Sequence, residues 1–210
     1  MINYIATATF GLEACVKREV IKLGFENVRT FDGRVEFTGD ESAIPRANLW
    51  LRCAGRVFVK MGEFKATSFE ELFQGTKALP WGDWIPVDGK FTVVGKSVKS
   101  TLHSVPDCQA IVKKAIVEKL KEKYDVDWFD ETGAEYTVQV ALLKDMATLT
   151  IDTSGSGLHK RGYRANALDA PLKETLAAAM VELSYWNKDR ILLDPFCGSG
   201  TIPIEAALIA

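Results

Sequence analysis

The feature that most constrains this 210-residue chain lies near its end. Ile191-Leu192-Leu193-Asp194 is a short apolar run closed by an acid, and it predicts a strand buried on both faces of a parallel sheet. Gly198-Ser199-Gly200 predicts a tight turn, and Thr201 onward predicts a helix. Strand, glycine turn and helix start, in that order, bring a ligand close to bare backbone and to the helix's unpaired N–H groups. The residues also exclude two common ligand loops. A phosphate loop needs lysine after its second glycine, whereas Thr201 and Ile202 follow Gly200. A dinucleotide fingerprint needs a third glycine at 203, which here is Pro203.

A helix is predicted just before this turn. Pro171 suits a first helical position, where its missing N–H does no harm. Leu172, Thr175, Leu176, Ala179, Met180 and Leu183 are expected to form the buried face. One strand and two helices cannot close a doubly wound core. The chain is therefore expected to be the N-terminal part of a longer one.

The rest of the chain predicts two α+β units. In the first, residues 4–10 read as a strand, and Leu12, Cys15, Val16, Val20 and Leu23 recur at helical spacing up to Gly24. Short strands flank an Asp32-Gly33 turn. Ile44, Ala47 and Leu51 mark a second helix, and residues 56–64 a last strand. This order is the split-βαβ, or ferredoxin-like, arrangement. In the second unit, Ser68 and Glu71 form a capping box for a helix bearing Phe69, Leu72 and Phe73. Residues 79–84 predict a Pro/Gly loop and residues 91–98 a strand. Cys108, Ile111, Val112, Ala115, Ile116 and Leu120 predict a long helix, and a hairpin is expected about Lys144-Asp145.

Composition excludes several classes. With 47% hydrophobic and 26% charged residues, the chain is neither disordered nor collagen-like. No apolar run approaches a membrane span, and no signal peptide is readable, so a cytoplasmic location is expected. The four cysteines lack CxxC spacing, which argues against a zinc site, and Cys15, Cys53 and Cys108 are expected in the core. The net charge of −2 hides an uneven distribution. Residues 90–123 carry eight lysines against three acids, and His159, Lys160, Arg161 and Arg164 follow with no acid among them. Such a run is either a solvated face or a surface for phosphates, and the arginines could equally pair with acids of a neighbouring domain.

Several segments carry resemblances. Asp194-Pro195-Phe196-Cys197-Gly198-Ser199-Gly200-Thr201 resembles the first motif of class I S-adenosylmethionine-dependent methyltransferases. That resemblance implies that Asp194, Pro195, Phe196, Gly198, Ser199, Gly200 and Thr201 hold the methionine end of the cofactor. Ala170-Pro171-Leu172-Lys173-Glu174-Thr175 is similar to the segment that borders the cofactor in such enzymes. Residues 93–102, with the helix start at 107–116, resemble the THUMP domain of RNA-modifying enzymes, and the first unit resembles its ferredoxin-like companion. Residues 152–164 resemble the GxxLHKRGYR linker of bacterial THUMP-containing methyltransferases that modify guanine N2 in large-subunit ribosomal RNA. The resemblances imply RNA contacts at Lys96, Lys99, Ser100, Lys113 and Lys114, and at Lys160, Arg161 and Arg164 of the linker.

The expected fold class is therefore α+β: a ferredoxin-like unit (1–65), a THUMP domain (66–153), a basic linker (154–169) and the start of a Rossmann-like methyltransferase domain (170–210). The expected cofactor is S-adenosylmethionine and the expected partner ribosomal RNA, with no metal and no membrane. The family's catalytic (Asn/Asp)-Pro-Pro-(Tyr/Phe) motif is missing, since no Pro-Pro pair occurs in the chain. No catalytic residue can be assigned, and methyl transfer by these 210 residues alone is not expected. The alternatives are a stand-alone THUMP adaptor for RNA and another Rossmann-like nucleotide binder.

Overall fold

A computed structural model describes residues 1–163 and 171–210. It divides into two compact units, Met1–Phe58 with Thr153–Ala210, and Val59–Asp152.

The first unit begins with β1 (Ile2–Thr7), α1 (Glu13–Lys22), β2 (Glu26–Phe31), β3 (Arg34–Gly39) and α2 (Ala43–Trp50), and contains the first residues of β4 (Val57–Lys65). Its strands run in the order β2-β3-β1, and both pairs are antiparallel. Val35 and Phe37 on β3 are buried opposite Ala6 and Tyr4 of β1, while Arg34 and Glu36 turn away and pair at 3.0 Å. That period of two follows from the pleat. Phe37 stacks on Tyr4 and Phe25, with ring centroids 5.4 and 4.8 Å apart. Cys15, Val16 and Val20 bury the inner side of α1. Each large apolar side chain so buried contributes about 1.5–3 kcal/mol. The β2–β3 turn has Gly33 at φ +72°, a conformation that costs other residues a steric penalty, and Glu13 accepts its N–H at 2.8 Å.

Glu19, also on α1, is buried and ties down the segment after α2. Its carboxylate accepts the backbone N–H groups of Arg52 (3.0 Å) and Cys53 (3.0 and 3.2 Å). Burial pushes its pKa up to about 7, and these donors oppose the rise.

The same unit contains α5 (Glu174–Leu183) and α6 (Thr201–Ile209), and here the structure corrects three expectations. Residues 191–194 form no strand. Ile191 is 97% exposed and Leu193 84%. A parallel strand exists only through its ladder, and no described segment pairs with this one. The buried side of α5 also differs. Thr175, Ala177, Ala178, Ala179 and Val181 are buried, whereas Leu176, Met180 and Leu183 are exposed. Small residues let α5 pack closely against neighbouring helices, while the stripe marked for a sheet has no described strand beneath it. Finally, α5 starts at Glu174, so Pro171 and Leu172 lie before it.

The second unit has β4, α3 (Phe69–Lys77), a 3-10 turn (Trp81–Asp83), β5 (Lys90–Val98), α4 (Val105–Tyr124), β6 (Glu135–Leu143) and β7 (Met146–Asp152). Its sheet order is β4-β7-β6-β5. β5 and β6 are parallel, joined by α4, while β6 and β7 form an antiparallel hairpin. Lys144 and Asp145 both have positive φ, as a two-residue hairpin turn of the primed type requires. The Ser68–Glu71 capping box is complete. Cys108, Val112, Ala115, Ile116 and Leu120 bury one side of α4. Cys15 and Cys53 are buried in the first unit, and Cys197 is exposed. Trp81, expected only in a loop, is fully buried and donates its indole N–H to the Thr76 carbonyl at 2.7 Å. No helix of the described residues is long and apolar enough to cross a membrane.

Glu19 predicts a pH dependence. Its pKa is about 7 when folded and 4.5 ordinarily, so the folded chain holds the proton more tightly. Both states are protonated below about 4.5. As pH rises from about 4.5 to about 7, only the unfolded state loses its proton, and stability falls by about 3 kcal/mol before levelling off. Glu19→Gln cannot titrate and should lack that component. Chemical denaturation at pH 4.5 and 8 measures it, and an equal loss in both proteins would contradict the assignment.

Candidate functional site

The glycine loop 194–200 reaches α6 in a conformation built by its own residues. Asp194 Oδ1 accepts the Phe196 N–H at 3.1 Å, and the Gly200 N–H donates to the Cys197 carbonyl at 2.7 Å. Gly198 (φ +52°) and Gly200 (φ +74°) occupy the left-handed region. A Cβ at Gly198 would meet nothing closer than the Phe196 carbonyl oxygen at 4.0 Å. The glycine is therefore needed for the turn and for an uncovered backbone, not to relieve a clash. Gly200 caps α6; Thr201, its first residue, is buried, and its hydroxyl lies 3.1 Å from that of Ser199. Asp194 is half-buried, whereas Pro195 and Phe196 are exposed. The loop thus offers open backbone at Gly198 and Ser199 and the Asp194 carboxylate, just before the start of α6. These features fit the amino-acid end of a methyl-donor cofactor: an acid for an ammonium group and N–H donors for a carboxylate. In the segment expected to border that cofactor, Ala170 lies outside the described residues, while Glu174 and Thr175 are buried at the start of α5.

Behind the loop, α6 is fastened by the linker. Glu205, four residues after Thr201, is completely buried. Arg161 Nε lies 2.9 Å from Glu205 Oε1, and the Tyr163 hydroxyl donates to the same oxygen at 2.9 Å. Arg161 also donates from its terminal nitrogen to the Arg52 carbonyl at 2.6 Å. Burial raises the Glu205 pKa, while the Arg161 charge and the Tyr163 hydrogen bond oppose the rise. Of the two readings open for the linker arginines, pairing with an acid describes Arg161, whose side chain is only 12% exposed. Lys160 is exposed, and Arg164 lies outside the described residues.

In the second unit, Lys96, Lys99, Lys113 and Lys114 are all exposed. The glutamates of α4 are used elsewhere: Glu122 pairs with Lys77 at 2.7 Å and Lys119 at 3.7 Å, and Glu118 with Lys77 at 3.4 Å. The four lysines have no carboxylate partner among the described residues. They form two groups. Gly95 admits the start of α4, since a Cβ there would lie 3.1 Å from both Val105 and Gln109. α4 then runs back along β5, so Lys113 stands over the Phe91 ring at 5.6 Å and Lys114 over Phe73 at 5.7 Å. Lys96 is five residues along β5 from Phe91, or roughly 16 Å of strand. Ser100 is engaged locally, donating to the Val98 carbonyl (3.1 Å) and accepting the Asp145 N–H (3.0 Å).

Sequence reasoning missed Glu19, Arg52 and Glu205. Each is an ordinary polar residue beside apolar ones, and only burial makes it notable. The motif at 205–209, Glu-Ala-Ala-Leu-Ile, reads as any helix with one charged side.

Comparisons with known proteins match three successive stretches of the chain. Residues 3–58 match the RlmL ferredoxin-like domain, 66–152 the THUMP domain and 161–210 the RMKL-like methyltransferase domain. The chain is 61% identical over 207 residues to YpsC of Bacillus subtilis, a candidate RNA methyltransferase, covering 98% of this chain and 54% of that protein. It is 36% identical over 211 residues to the ribosomal RNA large subunit methyltransferase K/L of Psychromonas ingrahamii, covering all of this chain and 28% of that protein. It thus spans about half or less of these curated relatives. Among solved structures, it is similar to a predicted N6-adenine-specific DNA methylase from Listeria monocytogenes (TM-score 0.95, 61% identity, 99% of this chain and 55% of that one). It is likewise similar to SMU.472, a candidate methyltransferase complexed with SAH (TM-score 0.93, 47% identity, 99% and 55% covered).

The fastening of α6 predicts a large stability effect. Glu205→Ala leaves the Arg161 charge buried without its counter-charge, and should cost about 3 kcal/mol in chemical denaturation. Glu205→Gln retains an acceptor for Tyr163 and should cost less. A loss from Glu205→Ala no greater than that of a surface substitution would contradict the buried pair.

Proposed function

Because the chain belongs to the THUMP-containing methyltransferases, we propose that it is the RNA-gripping and cofactor-docking part of an S-adenosylmethionine-dependent enzyme that methylates guanine N2 of large-subunit ribosomal RNA. The observation that carries this reading is the bare glycine loop opening onto α6, in a chain that also matches a THUMP domain. The cofactor supplies an electrophilic methyl group. Asp194 accepts from its ammonium group, and the backbone at Gly198, Ser199 and Gly200, with Thr201 and the flanking Pro195 and Phe196, borders its methionine end. RNA rather than DNA is favoured by the THUMP match, while the exposed lysines without carboxylate partners among the described residues suit a phosphate backbone of either kind. The ribosomal substrate is supported by the 36%-identical rRNA methyltransferase, and it implies a cytoplasmic setting. In this reading Lys96, Lys99, Lys113, Lys114 and Lys160 meet phosphates, and Ser100, whose hydroxyl already donates to the Val98 carbonyl, shapes the backbone beside Lys99. We carry the domain limits 1–65, 66–153, 154–169 and 170–210 as part of the proposal.

Two measurements test it. Asp194→Ala in the complete enzyme removes an acceptor for a charged donor, a loss of about 1.5–3 kcal/mol, or roughly ten- to a hundredfold in affinity for S-adenosylhomocysteine by calorimetry. RNA binding should be retained. An Asp194→Ala variant that folds and binds cofactor as tightly as the parent overturns the loop's role. Methyl transfer to DNA adenine instead of rRNA guanine would overturn the substrate.

The 210 residues alone should bind rRNA with steep salt dependence, because neutralised phosphates release counterions. Replacing Lys96, Lys99, Lys113 and Lys114 together with Ala should lower affinity and flatten the salt slope. An unchanged slope would leave those lysines as a solvated face. Turnover by these residues with excess cofactor would show that the missing Pro-Pro motif is dispensable.

A further inference from the structure

The linker and the end of α2 line an open recess of about 290 Å³, of which the reading above uses only Lys160. Asn48, Arg52, Ser156, Lys160 and Arg161 are among the residues that line it, and no Asp or Glu does. Three cations therefore face one recess. Arg161 already has its counter-charge in Glu205. Among the described residues the Arg52 guanidinium makes no hydrogen bond or salt bridge, although its backbone N–H and carbonyl are engaged; Glu205 and Glu19 attract it only at longer range. Burial and then the neighbouring Arg161 charge depress its pKa, and the Glu205 and Glu19 charges oppose the shift without cancelling it. Ser156 is exposed with its hydroxyl unengaged among the described residues, and Lys160 is exposed without a carboxylate partner there.

A half-buried guanidinium that lines the recess and makes no hydrogen bond among the described residues is open to an anion. The recess is large enough for a phosphodiester with its flanking sugar. Two residues before Arg52, Trp50 ends α2 and is 61% exposed, beside Leu49 at 71%. Trp50 does not line the recess itself, but it lies in sequence between Leu49 and Arg52, which do, and cations for the backbone with an aromatic face for a base are how proteins hold single-stranded nucleic acid.

We propose that Arg52, Lys160 and Ser156 form a subsite for one backbone phosphate of RNA, and that Trp50 stacks an unpaired base beside it. This site is separate from the lysines of the second unit, and it rests on the RNA reading above. It gives the first unit a direct part in substrate recognition and makes the recognised RNA locally single-stranded.

The test uses the 210-residue chain, rRNA fragments with a single-stranded loop, and three variants. Arg52→Gln should weaken RNA binding roughly tenfold and lower the salt slope by about 0.7, the loss of one single-strand phosphate contact. Its thermal midpoint should stay level or rise, since a repelled charge is removed; a structural arginine would lower it. Trp50→Ala should weaken binding of the looped RNA roughly tenfold with the salt slope unchanged, because stacking releases no counterions, and should barely affect a fully paired RNA. The Lys96, Lys99, Lys113 and Lys114 variant serves as the reference. If it weakens binding while Arg52→Gln and Trp50→Ala leave affinity and slope unchanged, this inference fails and the RNA reading stands. If the unaltered chain binds no RNA, both fail. Inorganic phosphate distinguishes a free-anion site: stabilisation by phosphate that depends on Arg52, without any effect of Arg52 on RNA affinity, would overturn the RNA assignment.

Discussion

The first unit depends on one buried charge. Glu205 has no exposed surface, and its carboxylate receives Arg161 and Tyr163 from the linker. Arg161 in turn holds the Arg52 carbonyl, and the Arg52 and Cys53 N–H groups rest on Glu19 of α1. Through this sequence of polar contacts, α1, the segment after α2, the linker and α6 are held together although they lie far apart in the chain. Burying an ion pair is costly, and a well-packed apolar cluster of the same volume would often serve stability as well or better. Its consequence here is specificity of position. Charges that must meet allow few alternative packings, and α6 carries the glycine loop at its first turn.

The arrangement links the two chemical tasks proposed for the chain. The loop at 194–200 presents bare backbone at a helix start, which suits the polar end of a cofactor. The linker that secures α6 also lines the recess containing Arg52 and Lys160. An RNA phosphate in that recess would sit against residues in direct contact with the support of the cofactor loop. The lysines of α4 contribute differently. Their ammonium nitrogens lie over the Phe91 and Phe73 rings, a cation–π placement that holds these charges in position.

Local patterns in the sequence carried much of this architecture. The capping box at Ser68–Glu71, the turns at Gly33 and Lys144-Asp145 and the stripe of α4 each follow from chemistry within a few residues, and all occur in the structure. Gly198 and Gly200 were readable as a turn for the same reason. The failures have a common physical origin in long-range partners. Residues 191–194 have strand-like composition, but no described segment supplies their ladder. The α5 stripe of Leu176, Met180 and Leu183 was assigned by size, whereas close helix packing selected Ala177, Ala178 and Ala179. Arg161 appeared as part of a basic linker because Glu205 is 44 residues away. Trp81 hid in a Pro/Gly loop since only tertiary contacts bury it.

Amide hydrogen exchange of the chain with and without rRNA tests the account's central claim, that both units grip RNA while the glycine loop remains available to the cofactor. The account predicts slowed exchange at residues 96–101, in α4 around Lys113 and Lys114 and at 154–160, with residues 198–202 unchanged. Protection confined to 198–202, with none in the linker or along β5, would contradict it.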